Sequence, residues 1–282
     1  MSVRRSWAVL RLCASEERML AVRSRWTQIF AAAFAALALA VSASGYILSG
    51  GYGVQDFART TVSLVQLVLL LVPLTSLLIG VTALLPDRGA AELLYSQPAP
   101  RAAIQLGKMV GLFEALVAAQ AVGFGASGLV IYWQAGNDGV SAFLALAAAS
   151  AVLTAIFVAL AALIAAGQMG QRRSHALAVA LVAWFVLVVL FDVAAIGVAS
   201  MLRSGSASRL LVVAALVNPV DAVRTGTLLA IEGTGAFGAS SLALLRFTHG
   251  PSGAAAWIAA SLAAWLVVPA WLASRRLDRA DI

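Results

Sequence analysis

Apolar residues dominate the chain in six long runs, near 27–48, 60–84, 104–132, 141–167, 176–201 and 254–274. A helix needs about 20 apolar residues to cross the hydrocarbon of a bilayer, and every run reaches that length. Residues 140–166 carry no charge at all. Pro73 and Pro269 fall inside runs two and six, where a spanning helix tolerates a kink. Ahead of the first run the pattern changes. Arg4, Arg11 and Arg18 recur at sevens over 3–23, while Val9, Leu10, Cys13 and Leu20 gather on another side. That spacing predicts a basic amphipathic helix lying at the membrane interface. The expected architecture is therefore all-α and membrane-embedded, with six spans and an N-terminal interfacial helix.

Two connections carry structure of their own. In the first, Asp87 is placed to cap a short helix over 88–96, which Pro98 and Pro100 stop. The second, 202–253, is long. Asn218 followed by Pro219 is a helix-start signal and predicts a helix over 219–231, closed by the Gly-rich stretch 233–238. A further short helix is expected at 240–247. The leucines here suggest packing on the membrane surface. The divisions are then 1–26 (interfacial helix), 27–201 (spans one to five), 202–253 (outer helical segment), 254–274 (span six) and 275–282 (tail).

Composition agrees with this reading and limits the function. Of 282 residues 62% are hydrophobic and 11% charged, with mean hydropathy +0.96. So little charge cannot cover a water-facing surface of this size, and no length remains for a large soluble catalytic domain. The net charge of +7 would suit nucleic acid, but the arginines cluster beside the apolar runs. That placement reads as topology and lipid-headgroup attraction. Fourteen Lys and Arg fall in the segments on the same side of the membrane as the N-terminus and five in those on the other. The excess predicts a multi-pass protein with both termini cytoplasmic. No cleavable signal peptide is expected, and the single Cys13 rules out a disulfide within the chain.

Catalytic readings fail on spacing. The only Gly-Lys pair, Gly107-Lys108, lacks the rest of a phosphate-cradling loop, so no ATP site is expected. The GxGxxG match at Gly123–Gly128 lies within an apolar run. Ser127 has no base, because His175 and His249 fall outside the membrane core; an intramembrane hydrolase is the remote alternative. Cys, His and Met are scattered without metal-ligand spacing. Gly107 and Gly111 form a small-xxx-small pair, read as packing within one chain. The polar residues inside the spans are more informative. Asp192 in span five reads equally as a functional carboxylate or as a protonated or paired structural group, Glu114 in span three reads as a paired structural group, and Gln120 is an uncharged companion.

The first connection also carries a resemblance. Gly89-Ala-Ala-Glu92-Leu93-Leu94-Tyr-Ser96-Gln-Pro98-Ala-Pro-Arg101, followed by Gly107-Lys108, is similar to the span-two-to-three loop of type-2 ABC exporter permeases. Ala90 and Ala91 stand where that family has Thr and Leu. Phe191-Asp192 and Asn218-Pro219-Val-Asp221-Ala-Val-Arg224 most resemble the permease of the nitrous oxide reductase maturation transporter. The resemblance implies a bacterial inner-membrane protein that forms a homodimer. It implies two cytoplasmic ABC ATPases that hold the ATP and Mg, no cofactor on this chain, and a periplasmic maturation protein serving a copper centre. It gives Asp87, Arg88, Gly89, Glu92, Leu93 and Leu94 to ATPase contact, and Asn218, Pro219, Asp221 and Arg224 to the outer partner. An exporter of lipid, antibiotic or polysaccharide is the alternative within the family.

Overall fold

A computed structural model describes residues 3–48, 53–85, 89, 99–135, 140–167, 173–232, 245 and 247–279. The elements are α1 (Val3–Arg23), α2 (Arg25–Leu48), α3 (Gly53–Leu84), α4 (Arg101–Ala135) and α5 (Val140–Gly167). They continue with α6 (Arg173–Phe185), a π-helical turn (Val186–Leu190), α7 (Phe191–Ser200), α8 (Ser204–Val217), α9 (Pro219–Glu232) and α10 (Pro251–Asp278). Among the described residues, six helices are long and apolar enough to cross a membrane. They are α2, α3, α4, α5, the continuous run α6–π–α7, and α10. Each coincides with one expected run, because an apolar stretch of spanning length has no other way to satisfy its backbone in lipid.

The core forms around α3 and α5. Val68, Val72, Leu77 and Val81 of α3 face Leu153, Ile156 and Phe157 of α5, all fully buried. An aromatic series carries this core outward from α2. Phe34 stands edge-on to Phe124 at 5.2 Å, and Phe124 edge-on to Phe143 at 5.6 Å, geometries that favour ring quadrupoles. Gln120 is polar yet almost wholly buried. Its amide donates to Thr154 Oγ1 (2.8 Å) and accepts from Ser150 (2.6 Å), so α4 and α5 share a closed network.

One end of the bundle is laced by arginines. Arg101, opening α4, donates to the carbonyl of Leu277 at the end of α10 (3.0 Å). Arg173, opening α6, donates to Thr82 near the end of α3. The guanidinium of Arg276 lies against Gly167, where α5 ends. Helix C-termini expose carbonyls and carry partial negative charge, so the bonds from Arg101 and Arg173 satisfy both needs and the nearby Arg276 guanidinium answers the charge. These contacts gather the first residues of α4 and α6 and the last of α3, α5 and α10 at one end. The alternation is what six consecutive spans require.

α1 covers the expected residues but docks unexpectedly. It crosses the base of α4, where a Cβ on Gly107 would stand 2.6 Å from the Leu10 carbonyl oxygen, and one on Gly111 2.2 Å from that of Ala14. Only glycine permits this approach. Lys108 reaches Glu17 at 3.3 Å, and Arg18 reaches Glu114 at 2.9 Å. Burial pushes the Glu17 carboxyl above its ordinary range, against the opposing pull of Lys108. The docked face is Leu10, Cys13, Ala14, Glu17 and Ala21. Leu20, expected beside Leu10 and Cys13, is 58% exposed instead.

Candidate functional site: a bent helix pair wired to two spans

Between spans five and six the chain forms a V. Helices α8 and α9 meet at Asn218 with a 101° bend. The start of α9 follows the expected chemistry. Asn218 is extended (φ −84°, ψ 125°), its side-chain oxygen accepts from Val220 N (3.0 Å), and Pro219 opens the helix. Proline lacks an N–H that the first turn would leave unpaired anyway.

The apex lies deep, contrary to the surface packing expected from sequence. The last carbonyls of α8, at Leu216 and Val217, accept from Ser261 Oγ and Trp265 Nε1 of α10. Trp265 stands at the middle of the 28-residue α10, about 21 Å from either end at 1.5 Å per residue. On the other flank the Asn218 amide donates to the Leu187 carbonyl at 2.7 Å. Leu187 stands at the middle of the 28-residue span Arg173–Ser200. Both contacts therefore place the apex half-way along its neighbouring spans. The pair dips into the bundle and returns. Broken backbone at such depth survives only when side chains satisfy it, and Ser261, Trp265 and Asn218 do so. Burial of Val220, Ala222 and Val223 seats α9 against the main core.

One turn above the apex lies an ionic cluster. Arg224 Nη1 is 2.9 Å from Asp192 Oδ2 and 2.9 Å from Asp221 Oδ1. Asp192 belongs to α7, just beyond the π turn, whereas Asp221 and Arg224 lie on α9. A single guanidinium thus holds two carboxylates and ties α9 to span five. The π turn supplies the Leu187 carbonyl that accepts from Asn218, and in Val186–Leu190 the hydrogen bonds run i to i+5, Phe191 N donating to Val186 O. Such insertions recur at functional sites.

Asn218→Leu removes the cap on α9 and the donor to Leu187 together. We expect a loss of about 2 kcal/mol in detergent unfolding, from a lost N-cap and an orphaned carbonyl. Asn218→Ser, which keeps the cap but is too short to reach Leu187, should lose about half.

The candidate residues fall into three places. Asn218, Pro219, Asp221, Arg224 and Asp192 converge on one site, although the sequence separates Asp192 from the others. Glu114 is half-exposed and paired with α1, and Gln120 belongs to the α4–α5 network. In the first connection Gly89 is helical and exposed, whereas Asp87, Arg88, Glu92, Leu93 and Leu94 lie outside the described residues, as do 90–98 generally. Of the further helix at 240–247, only Leu245 and Phe247 are described, both helical; 233–238 is outside. Reading the sequence missed α8, the π turn, and the carbonyl-capping roles of Ser261, Trp265 and Arg101. For α8 a signal existed: Leu210–Val217 is an unbroken apolar run.

Comparison with known proteins agrees with this architecture. Residues 13–282 match the family described as ABC-2 family transporter protein. A probable ABC transporter permease protein NosY of Pseudomonas aeruginosa is 30% identical over 257 residues, covering 88% of this chain and 91% of that protein. A protein of the same name from Stutzerimonas stutzeri is 31% identical over 244 residues, covering 81% and 85%. The chain is a multi-pass membrane protein belonging to the ABC-2 family of transporters, and its place in such a transporter is that of the permease subunit.

Proposed function

We propose that this permease couples a cytoplasmic ABC ATPase dimer to a periplasmic maturation protein that serves the copper centre of nitrous oxide reductase. It works as a homodimer in the bacterial inner membrane, with both termini cytoplasmic. ATP and Mg belong to the ATPase, and this chain transmits motion. One observation carries the reading: the bent pair α8–α9 is bonded at mid-depth to two different spans, whose opposite ends lie at the arginine-laced face. Relative movement of those spans must therefore reach the pair. Support for the specific system comes from the Asn218–Arg224 segment and from the two relatives named NosY.

The proposed path begins at the loop holding Asp87, Arg88, Gly89, Glu92, Leu93 and Leu94. A push there is delivered to the base of α4. Arg101 passes it to the end of α10 through Leu277, and α10 carries Ser261 and Trp265 to the apex. On the other flank Asp192 and Leu187 hold α9 to span five. The outer partner is engaged beyond Asp221 and Arg224.

Glu92→Lys with Leu93→Ala tests this in the complex with its ATPase. Coupled ATP hydrolysis and nitrous oxide reductase maturation should both fall at least tenfold while the permease still reaches the membrane. Unchanged maturation would sink the proposal. If instead the complex retains no periplasmic protein and moves a lipid, antibiotic or polysaccharide, the exporter reading replaces it.

A further inference from the structure

Span five is fastened to different neighbours in its two halves. Arg173, Ala176, Ala180 and Trp184 share one stripe of α6 at helical spacing. Ala176 and Ala180 are fully buried, and their small side chains let α6 lie close along α3. Two bonds close the same seam. Arg173 donates to the Thr82 carbonyl, and Trp184 Nε1 donates to the Leu70 carbonyl at 3.2 Å. They stand twelve residues apart on α3 and eleven on α6, about 17 Å at 1.5 Å per residue. A carbonyl oxygen has two lone pairs, so α3 accepts both donors without opening its own ladder. Beyond Trp184 the partners change. No residue of the π turn is fully buried, and α7 buries only Ala199 and packs on α8. Here the Leu187 carbonyl and Asp192 are bonded to α9.

We propose that Arg173 and Trp184 are positioning residues for ATP-driven coupling, binding the first half of span five to α3. Motion of the first connection then enters the V through span five as well as through α10. Thr82 lies three residues before Leu85, and the first connection follows directly. The end of α3 therefore cannot shift without drawing Arg173 after it. Trp184 stands near the middle of the span Arg173–Ser200, well inside the interfacial belt, where its N–H has no water to bond. While it holds Leu70, α6 cannot tilt away from α3. Trp184 is also two residues short of the π turn, so the seam ends where the span changes partners. This input is separate from the one through α4, Arg101 and α10, and it meets the apex on the opposite flank. The role rests on the coupling proposed above.

The assembled complex of permease, ATPase and periplasmic protein tests it, read as nitrous oxide reductase maturation per ATP hydrolysed. Arg173→Gln with Trp184→Phe should lower that ratio about fivefold, a loss typical of broken coupling contacts. Arg173→Lys keeps a cationic donor for a contact that needs only one, and should stay near the unaltered protein. Should the double variant assemble poorly, Arg173→Gln alone is set against Arg173→Lys, with a difference of about twofold expected. Equal ratios for Gln and Lys refute the role. Arg101→Gln separates it from the wider reading. If Arg101→Gln lowers the ratio while the variants of Arg173 and Trp184 leave it unchanged, span five is no input and only this role fails. If none of them changes the ratio, the coupling reading fails and the role with it.

Discussion

Replacing Arg224 by Met should destabilise the protein by about 3 kcal/mol, the low end of the cost of removing one partner from a buried ionic group, because Arg224 and Asp192 are only partly buried. The magnitude follows from depth. Asp192 and Asp221 would remain one turn above mid-span with no cation 2.9 Å away. Lipid has no water to offer them, and each ionised carboxylate there is expensive. Detergent unfolding of the purified permease measures the loss. A second variant separates charge from packing: Arg224→Met with Asp192→Asn and Asp221→Asn should recover most of the stability, because neutral amides need no counter-charge. Recovery of stability without recovery of ATPase coupling would assign the cluster to transmission. Failure of the triple variant to recover would mean that the guanidinium matters for shape, and the ionic account would be abandoned.

Gly111→Leu should have the second large effect. The first atom of any side chain there would meet the Ala14 carbonyl oxygen at 2.2 Å and the Arg18 nitrogen at 2.9 Å. Both are backbone, so neither can swing aside. Overpacking of this kind costs about 1–3 kcal/mol, and more when backbone must move. Here the cheaper outcome is release of α1, which also breaks the pair between Arg18 and Glu114. Trypsin should then cut at Arg11 and Arg18 at least tenfold faster. Gly125→Leu is the control, since nothing lies within 4 Å of the added atom. Equal cleavage rates in the two variants would contradict the docked position of α1.

Much of this fold could be read from the chain because the deciding physics is local. Runs of apolar residues reach spanning length by themselves, so six spans follow from counting. The Asn218-Pro219 start of α9 rests on the preferences of two adjacent residues and was equally visible. The rest depends on partners distant in sequence. Whether α8 and α9 lie on the bilayer or dip into it is decided by Ser261 and Trp265, more than forty positions later. Asp192 and Arg224 each look like isolated charges until the V brings them together. The glycine pair on α4 was legible as a place of close approach, but its occupant was not. Leu10, Ala14, Glu17 and Ala21 do share one stripe of α1, and their small size at Ala14 and Ala21 was the available clue. Nothing in Val-Leu-Val-Val-Leu announces a π turn.

That turn has a mechanical meaning. It holds one residue more than an α-helical turn would, a local excess of chain within span five. Returning it to α geometry would rotate everything beyond it by about 100° and advance it by about 1.5 Å, one helical step. Asp192 lies two residues past the π segment, so the step would swing its carboxylate away from Arg224 while α6 stayed in place. Span five thus holds one spare unit of helical phase: remaking its hydrogen bonds in α register would part Asp192 from Arg224, while Asn218 would keep its hold on the Leu187 carbonyl inside the segment.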